Sequence, residues 1–312
     1  MQEIHISLTG GLGNQIFQLA SGLSFPNSKI ILETNIGRPR KNKSGVAEIS
    51  SFNLPNNVSF SSATKESRLL SKALGYGLRM GIAPRWYEKS IIYSILVNFS
   101  AELVYFFTNK KWIKIVFAND VGFFPIPKFK KVLLVGYFQS YLWPNSENAK
   151  KSLMSLNLKE PSIMLENLHK LSEIERPLVV HVRLGDYLLE ESFGVPSAQY
   201  YRDAVNELWN SGVFSKIWVF SDDLKQAKSK IPEELLTHCS WIGEVDESAA
   251  ATLQAMRYGK GYVLANSSFS WWGCFLSMES NPPVIAPKPW FKSPPVPSEI
   301  TPPNWKLLPA DY

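Results

Sequence analysis

The stretch Leu178-Val179-Val180-His181-Val182-Arg183-Leu184-Gly185-Asp186-Tyr187 decides the fold. Its first half, Leu178 to Val182, is an almost wholly apolar run of strand length. Such runs belong to strands covered on both faces of a parallel sheet. The run passes at once into a polar turn, so that His181, Arg183 and Asp186 gather at the end of that strand. In an open α/β sheet, ligands collect at the carboxyl ends of strands, so this turn lies where a site is expected. An arginine there offers a rigid, permanently charged fork suited to a diphosphate. The competing reading is an Arg–Asp pair that closes a loop.

Downstream, the pattern repeats. A helix is predicted over Gln199–Ser211, followed by a strand in Lys216-Ile217-Trp218-Val219-Phe220 that ends in Ser221-Asp222-Asp223. A helix over Glu247–Tyr258 leads to the strand Gly261–Ala265, and Asn266-Ser267-Ser268-Phe269-Ser270-Trp271-Trp272-Gly273 follows it. Pro283–Pro287 is a fourth short strand, and a Pro-rich tail closes the chain. Strands alternating with helices describe a parallel sheet with crossover helices. The polar strand ends put His181/Arg183/Asp186, Ser221/Asp222/Asp223 and Asn266/Ser267/Ser268/Ser270 on one edge. The first group offers charge for phosphate. The second offers carboxylates for a guanine edge or ribose hydroxyls, with helix capping as the other role of Ser221 and Asp222. The third is a hydroxyl-rich loop at a helix start, where anions bind well and where capping again competes. Together the three read as a nucleotide-diphosphate site.

Upstream, a strand over Glu3–Leu8 runs into Thr9-Gly10-Gly11-Leu12-Gly13-Asn14-Gln15, and Ile16, Phe17, Leu19 and Ala20 begin a helix. Strand, glycine turn and helix bring backbone close to a ligand. As a dinucleotide fingerprint it fails, because Ile16 stands where a third Gly or Ala is needed, although Glu33 after the next strand mimics the ribose acid. Arg38–Ser67 is polar and irregular with one short strand near Val58. Lys131–Ser140 is a buried strand ending in aromatic and amide groups. Ser146–Glu175 reads as a helical linker, so the domains are placed at 1–145 and 146–312.

The 312 residues suit two medium domains, and 45% hydrophobic with 19% charged residues exclude disorder. Aromatic residues at 13%, ten of them Trp, suit either a stacking surface or a core. A net charge of +6 and a pI near 9.1 point to an anionic partner. The basic residues are scattered, apart from short clusters at Arg38–Lys43 and Lys128–Lys131, and no RNA-binding signature accompanies them, which sets nucleic acid aside. Two cysteines, Cys239 and Cys274, make no disulfide framework and suit a reducing compartment. His5, His169, His181 and His238 are far apart, with no HExxH or CxxC, so no metal site is expected. The chain opens on a strand, which leaves no room for a signal peptide or anchor. Ile91–Phe107 is interrupted by Asn98, Ser100 and Glu102 and is expected to be a buried helix. Lys110, Lys111, Trp112, Ile113 and Lys114 would suit peripheral contact with anionic lipid.

These residues carry a family resemblance. His181-Val182-Arg183-Leu184-Gly185-Asp186-Tyr187 resembles the HxRxGDY motif of the α-1,2-fucosyltransferases, glycosyltransferase family 11. Gly10-Gly11-Leu12-Gly13-Asn14-Gln15-Ile16-Phe17-Gln18 is similar to that family's GGLGNQ(M/L)FQ signature. Phe220–Asp223 and Asn266–Gly273 resemble its remaining motifs, in the right order. Leu184 departs from the pattern, standing where a second Arg is often found, which removes one charge near the diphosphate.

The resemblance implies an α/β, GT-B-like fold of two Rossmann-like domains with parallel sheets facing a cleft. The first would be the acceptor side, the second the holder of GDP-fucose. It implies inverting transfer of fucose to the 2-hydroxyl of a terminal β-galactose, without a metal ion or other cofactor. By the same resemblance, Arg183 would meet the donor phosphates with His181 beside it, and Asp222 would lie near guanine. The loop of Asn266, Ser267, Ser268 and Ser270 would contact the diphosphate. Gly11, Gly13, Asn14 and Gln15 would face donor or acceptor. Asp186, Glu190 and Glu191 are the candidate bases. The acceptor would be a lipid-linked or surface-polysaccharide precursor, and the location cytoplasmic and of bacterial type. The rivals are a transferase of the same build using another GDP-sugar and a non-catalytic glycan- or nucleotide-binding protein.

Overall fold

In a computed structural model of the chain, residues 1–61, 113–117, 129–188, 192–293 and 299–312 are described, with single positions between 99 and 126. Most of Ile91–Phe107, Lys110–Trp112, Glu190 and Glu191 lie outside the described residues. The chain forms two compact α/β units, Met1–Leu156 and Asn157–Tyr312.

In the first unit, β1 (Gln2–Ser7), β2 (Ser28–Glu33), β3 (Val58–Phe60), β4 (Lys114–Phe117) and β5 (Lys131–Val135) form one parallel sheet in the order β3-β2-β1-β5-β4. Ile4, Ile6, Ile30, Leu32, Leu133 and Leu134 are wholly buried in it. The helix α1 (Leu12–Leu23) crosses from β1 to β2 and buries Ile16 and Phe17. β1 is central, and β2 and β5 lie on either side of it, so the chain reverses its winding between β1 and β5.

The second unit has six parallel strands: β6 (Pro177–Val182), β7 (Lys216–Ser221), β8 (Cys239–Ile242), β9 (Gly261–Val263), β10 (Val284–Lys288) and β11 (Lys306–Pro309). Their order is β11-β10-β9-β6-β7-β8, the doubly wound dinucleotide-fold arrangement with its switch point between β6 and β9. Alternate residues of β6 face opposite layers. Leu178, Val180 and Val182 pack with Tyr200, Tyr201, Ala204 and Val205 of α4 (Ala198–Trp209). Val179 faces the other layer, toward the turn that follows α6 (Ala249–Met256): a Cβ on Gly259 would stand 2.7 Å from its Cγ2. Strands covered on both faces need the continuous apolar runs seen in the sequence.

Several expectations change. The boundary falls at Leu156 rather than after residue 145, because α2 (Glu147–Met154) packs on α1. Ser146–Glu175 is not one helix: α2 is separated from α3 (Ile163–Glu175) by a segment containing Pro161, which cannot donate within a helix. Ser162 then caps α3 by accepting from the Leu165 N–H at 3.2 Å. Lys131–Ser140 keeps its strand only to Val135. Strands β4, β8 and β11 are additions, the last inside the Pro-rich tail. Among the described residues, no helix is long and apolar enough to cross a membrane.

Candidate functional site

At the β6/β9 switch point, the turn after β6 is held by an acid from the end of β7. Asp222 Oδ1 accepts from the Leu184 N–H at 2.9 Å, and its Oδ2 lies 3.1 Å from Arg183 Nη1. Gly185 makes this approach possible, since a Cβ there would sit 2.4 Å from Asp222 Oδ2. The guanidinium also lies over the Tyr187 ring, 5.6 Å from its centroid, a stacking geometry an arginine favours. Arg183 thus makes an acid pair with Asp222, at the end of the neighbouring strand. Asp186 lies in the one-turn segment Gly185–Leu188, and its side chain is outside the described residues. The Leu184 side chain is buried in the core, and only its backbone serves the turn.

His181 is buried on β6, with its ring 6.1 Å from that of Phe269. Burial, reinforced by the Arg183 charge, pushes its pKa down to about 3, so the imidazole is neutral at physiological pH. The sequence grouped His181 with Arg183 as charge for a phosphate; the positive charge is Arg183's alone. The His181 Nδ1 is buried with no hydrogen-bond partner among the described residues, which leaves one ring nitrogen for a ligand.

After β9, Asn266 is fully buried, and its Nδ2 donates to the backbone oxygens of Phe193 and Gly194 at 2.9 and 3.0 Å. Its own carbonyl accepts from the Tyr187 hydroxyl at 3.3 Å. The residue ties the end of β9 to the loop that follows β6. Ser267 caps α7 (Ser268–Phe275), its hydroxyl accepting from the Phe269 N–H at 3.3 Å. The buried Ser270 hydroxyl donates to the Ser267 carbonyl at 3.2 Å. Ser268 alone of the three serines is half-buried at the helix start. The Trp doublet is packing: Trp271 donates to the Ile300 carbonyl at 2.7 Å and its ring lies 5.4 Å from Trp305.

The end of β7 divides its groups differently from the expectation. The helix cap is Asp223, which accepts from the Gln226 N–H at 2.9 Å to start α5 (Leu224–Ala227), while Ser221 accepts from the Asp223 N–H at 3.0 Å. Asp222, expected near guanine, has both oxygens engaged by the β6 turn.

Gly11, Gly13, Asn14 and Gln15 form a second group, at the switch point of the N-terminal unit. Gly10 has φ +73°, a left-handed backbone, and it accepts from the Arg40 N–H at 2.8 Å. Gln15 is fully buried with its amide spent on the chain: Nε2 donates to the Gly10 and Arg40 carbonyls at 2.9 and 3.0 Å, and Oε1 accepts from the Ile49 N–H at 3.0 Å. Gly13 is buried inside α1, whereas Gly11 and Asn14 are half-buried at its start. Glu33 is no ribose acid, because it is buried against His5 Nδ1 at 2.7 Å.

The C-terminal group therefore offers a fixed guanidinium, a neutral imidazole and the amino end of a helix around one strand crossing. That combination can neutralise and orient a diphosphate. Gln15, Asn266 and Ser270, by contrast, organise backbone. Sequence reading missed Phe193 and Gly194, whose partner Asn266 gave no local sign of reaching across to them.

The model described as Glycosyl transferase family 11 matches residues 107–308. The chain is 25% identical over 305 residues to an Alpha-1,2-colitosyltransferase of Escherichia coli, covering 94% of this chain and 93% of the relative. It is 24% identical over 301 residues to the O-antigen biosynthesis glycosyltransferase WbnK of Escherichia coli, covering 91% and 93%. Among solved structures, E. coli ADP-heptose lps heptosyltransferase II aligns over 99% of this chain and 90% of its own, at 12% identity and a TM-score of 0.49.

Proposed function

The chain belongs to glycosyl transferase family 11 and is a nucleotide-sugar-dependent glycosyltransferase, and we propose that it transfers L-fucose from GDP-fucose to the 2-hydroxyl of a terminal β-galactose. The acceptor is an O-antigen or polysaccharide precursor built at the cytoplasmic face of the membrane, whose anionic surface suits a chain of net charge +6. One observation carries the reading: the Arg183 guanidinium, fixed 3.1 Å from Asp222 at the β6/β9 switch point.

Departure of GDP builds negative charge on the β-phosphate. Arg183 and the amino end of α7 stabilise that charge, which removes the need for a metal ion. Neutral His181 supplies a ring nitrogen rather than a charge. The acceptor hydroxyl attacks from the opposite face, inverting the anomeric carbon, and a carboxylate among Asp186, Glu190 and Glu191 takes its proton.

A second reading is favoured by the 25%-identical relative named a colitosyltransferase. Colitose is fucose without its 3-hydroxyl, so one donor pocket can serve either sugar unless it bonds that hydroxyl. A pocket that does bond it would reject colitose by about four orders of magnitude.

The test is acceptor-dependent GDP release across β-galactosyl acceptors, with EDTA present, from GDP-activated fucose, colitose and mannose. Release from GDP-fucose is the expected result. Faster release from the colitosyl donor favours the second reading, and faster release from the mannosyl donor another GDP-sugar. GDP binding without release from any donor would leave a nucleotide-binding protein, and activity abolished by EDTA would end the metal-free mechanism.

A further inference from the structure

In the N-terminal unit, the amides around the β1/β5 switch point form a connected set. Gln15 is satisfied at both ends, as is Gln18, whose Oε1 accepts from the Thr9 N–H at 3.1 Å and whose Nε2 donates to the Gly136 carbonyl at 2.7 Å. Gln139, just beyond β5, differs. It is 8% exposed, its Nε2 donates to Asn14 Oδ1 at 2.8 Å, and its own Oε1 is buried without a partner among the described residues. A buried amide oxygen left unbonded is costly as packing.

The backbone that delivers Gln139 is strained. Phe138, immediately before it, has φ +54°, a left-handed conformation that a bulky side chain rarely adopts. Ring contacts with Phe124 and Trp143, at 5.6 and 6.0 Å between centroids, hold it there, and its carbonyl accepts from the Ser140 N–H at 3.0 Å. This turn carries the amide of Gln139 to Asn14, 125 residues earlier in the chain. Strain at Phe138 and an unbonded oxygen at Gln139 are both tolerated in a turn whose visible work is to grip Asn14.

We infer that Gln139 is a positioning residue for Asn14. By occupying Asn14 Oδ1 it turns the Asn14 nitrogen toward the Gly10–Gly11 turn, where a Cβ on Gly10 would lie 2.6 Å from Nδ2. Asn14 then presents an N–H donor, rather than an oxygen, to a sugar hydroxyl. The inference rests on the proposed function and on the expectation, implied by the family resemblance, that the turn carrying Gly11 and Asn14 faces donor or acceptor, and it adds which atom of Asn14 does so and what aims it.

The test compares three variants with the wild type on the most active donor and acceptor. Gln139→Glu keeps the shape. Ionised, it cannot donate, so Asn14 turns over and offers its oxygen; protonated, its O–H restores the original orientation. Its kcat should fall about tenfold or more near neutral pH and recover as pH is lowered. Gln139→Met should lose a similar factor with no such recovery. Asn14→Asp, which keeps the bond from Gln139 but lacks the N–H, should match Gln139→Glu at high pH. Thermal unfolding confirms that each variant is folded, and calorimetric GDP affinity should stay within about twofold, because the diphosphate is assigned to the other unit. A folded Gln139→Met with unchanged kcat overturns the inference, as does a Gln139→Glu profile parallel to that of Gln139→Met. Should Gln139→Met fail to fold, the Gln139→Glu profile and Asn14→Asp decide. A wild type silent with every GDP-sugar overturns the functional reading and this refinement together, an outcome distinct from an active wild type indifferent to Gln139.

Discussion

Asp222 and Arg183 meet at 3.1 Å, Oδ2 to Nη1, while the other Asp222 oxygen accepts from the Leu184 N–H. One carboxylate therefore sets both the backbone of the β6 turn and the direction of its cation. Asp222→Ala should weaken GDP binding by about tenfold, measured by calorimetry. Because the carboxylate holds the turn rather than a base, binding of ADP and UDP should weaken by the same factor. Selective loss of the guanine nucleotide would instead make Asp222 a reader of the base.

Gly185→Ala places a methyl where only 2.4 Å separates the Cβ position from Asp222 Oδ2. The carboxylate has to withdraw from Arg183. Donor affinity should fall to the level of Asp222→Ala, and the double variant should be no worse than either alone, since both break one contact.

His181 gives the fold an acid sensitivity. Its pKa is about 3 when folded and 6.5 as the free side chain, so the unfolded chain binds the proton first. Stability is full above pH 6.5 and is lost as pH falls toward 3, by about 1.4 kcal/mol per pH unit inside that window. Glu3 adds its share only below its ordinary value of 4.5: burial raises its pKa, but hydrogen bonds from Lys131 and His5 outweigh this and hold it at about 2. Urea unfolding between pH 6.5 and 4.5 isolates the histidine. His181→Gln should flatten the slope there, and an unaltered slope would contradict a buried neutral imidazole.

Gln15→Leu removes three hydrogen bonds and strands the buried Ile49 N–H. It should cost about 2–4 kcal/mol in urea unfolding. Assayed below its lowered midpoint, the folded variant should keep wild-type kcat, because this amide faces the chain. A large loss of kcat without loss of stability would return Gln15 to the list of substrate contacts.

The central strands were legible because burial on both faces demands apolar runs, and Leu178–Val182, Lys216–Phe220 and Gly261–Val263 carry them. The edges were not. In β11, Lys306, Leu307 and Pro309 are exposed, so no buried run announces the strand, and β8 is short and only partly covered. Residue types at the site were also legible, since Arg183, Asp222 and Asn266 all end strands. Their pairings were not. Whether Asp222 reaches a ligand or the Leu184 backbone 38 residues away depends on which strand β7 pairs with and in what register, which local pattern does not encode. The same holds for the Asn266 amide and its partners 72 and 73 residues earlier.

The strand orders also govern how the chain is made. β1 leaves the ribosome well before its partner β5, with Glu3 paired to Lys131 across 128 residues. β6 likewise opens the second unit but waits for β9 to cover its other edge. Each half thus exposes one edge of its central strand until a later strand arrives, and that edge can pair with the wrong neighbour. During translation, the chain depends most on chaperone shielding in the intervals before β5 and before β9 appear.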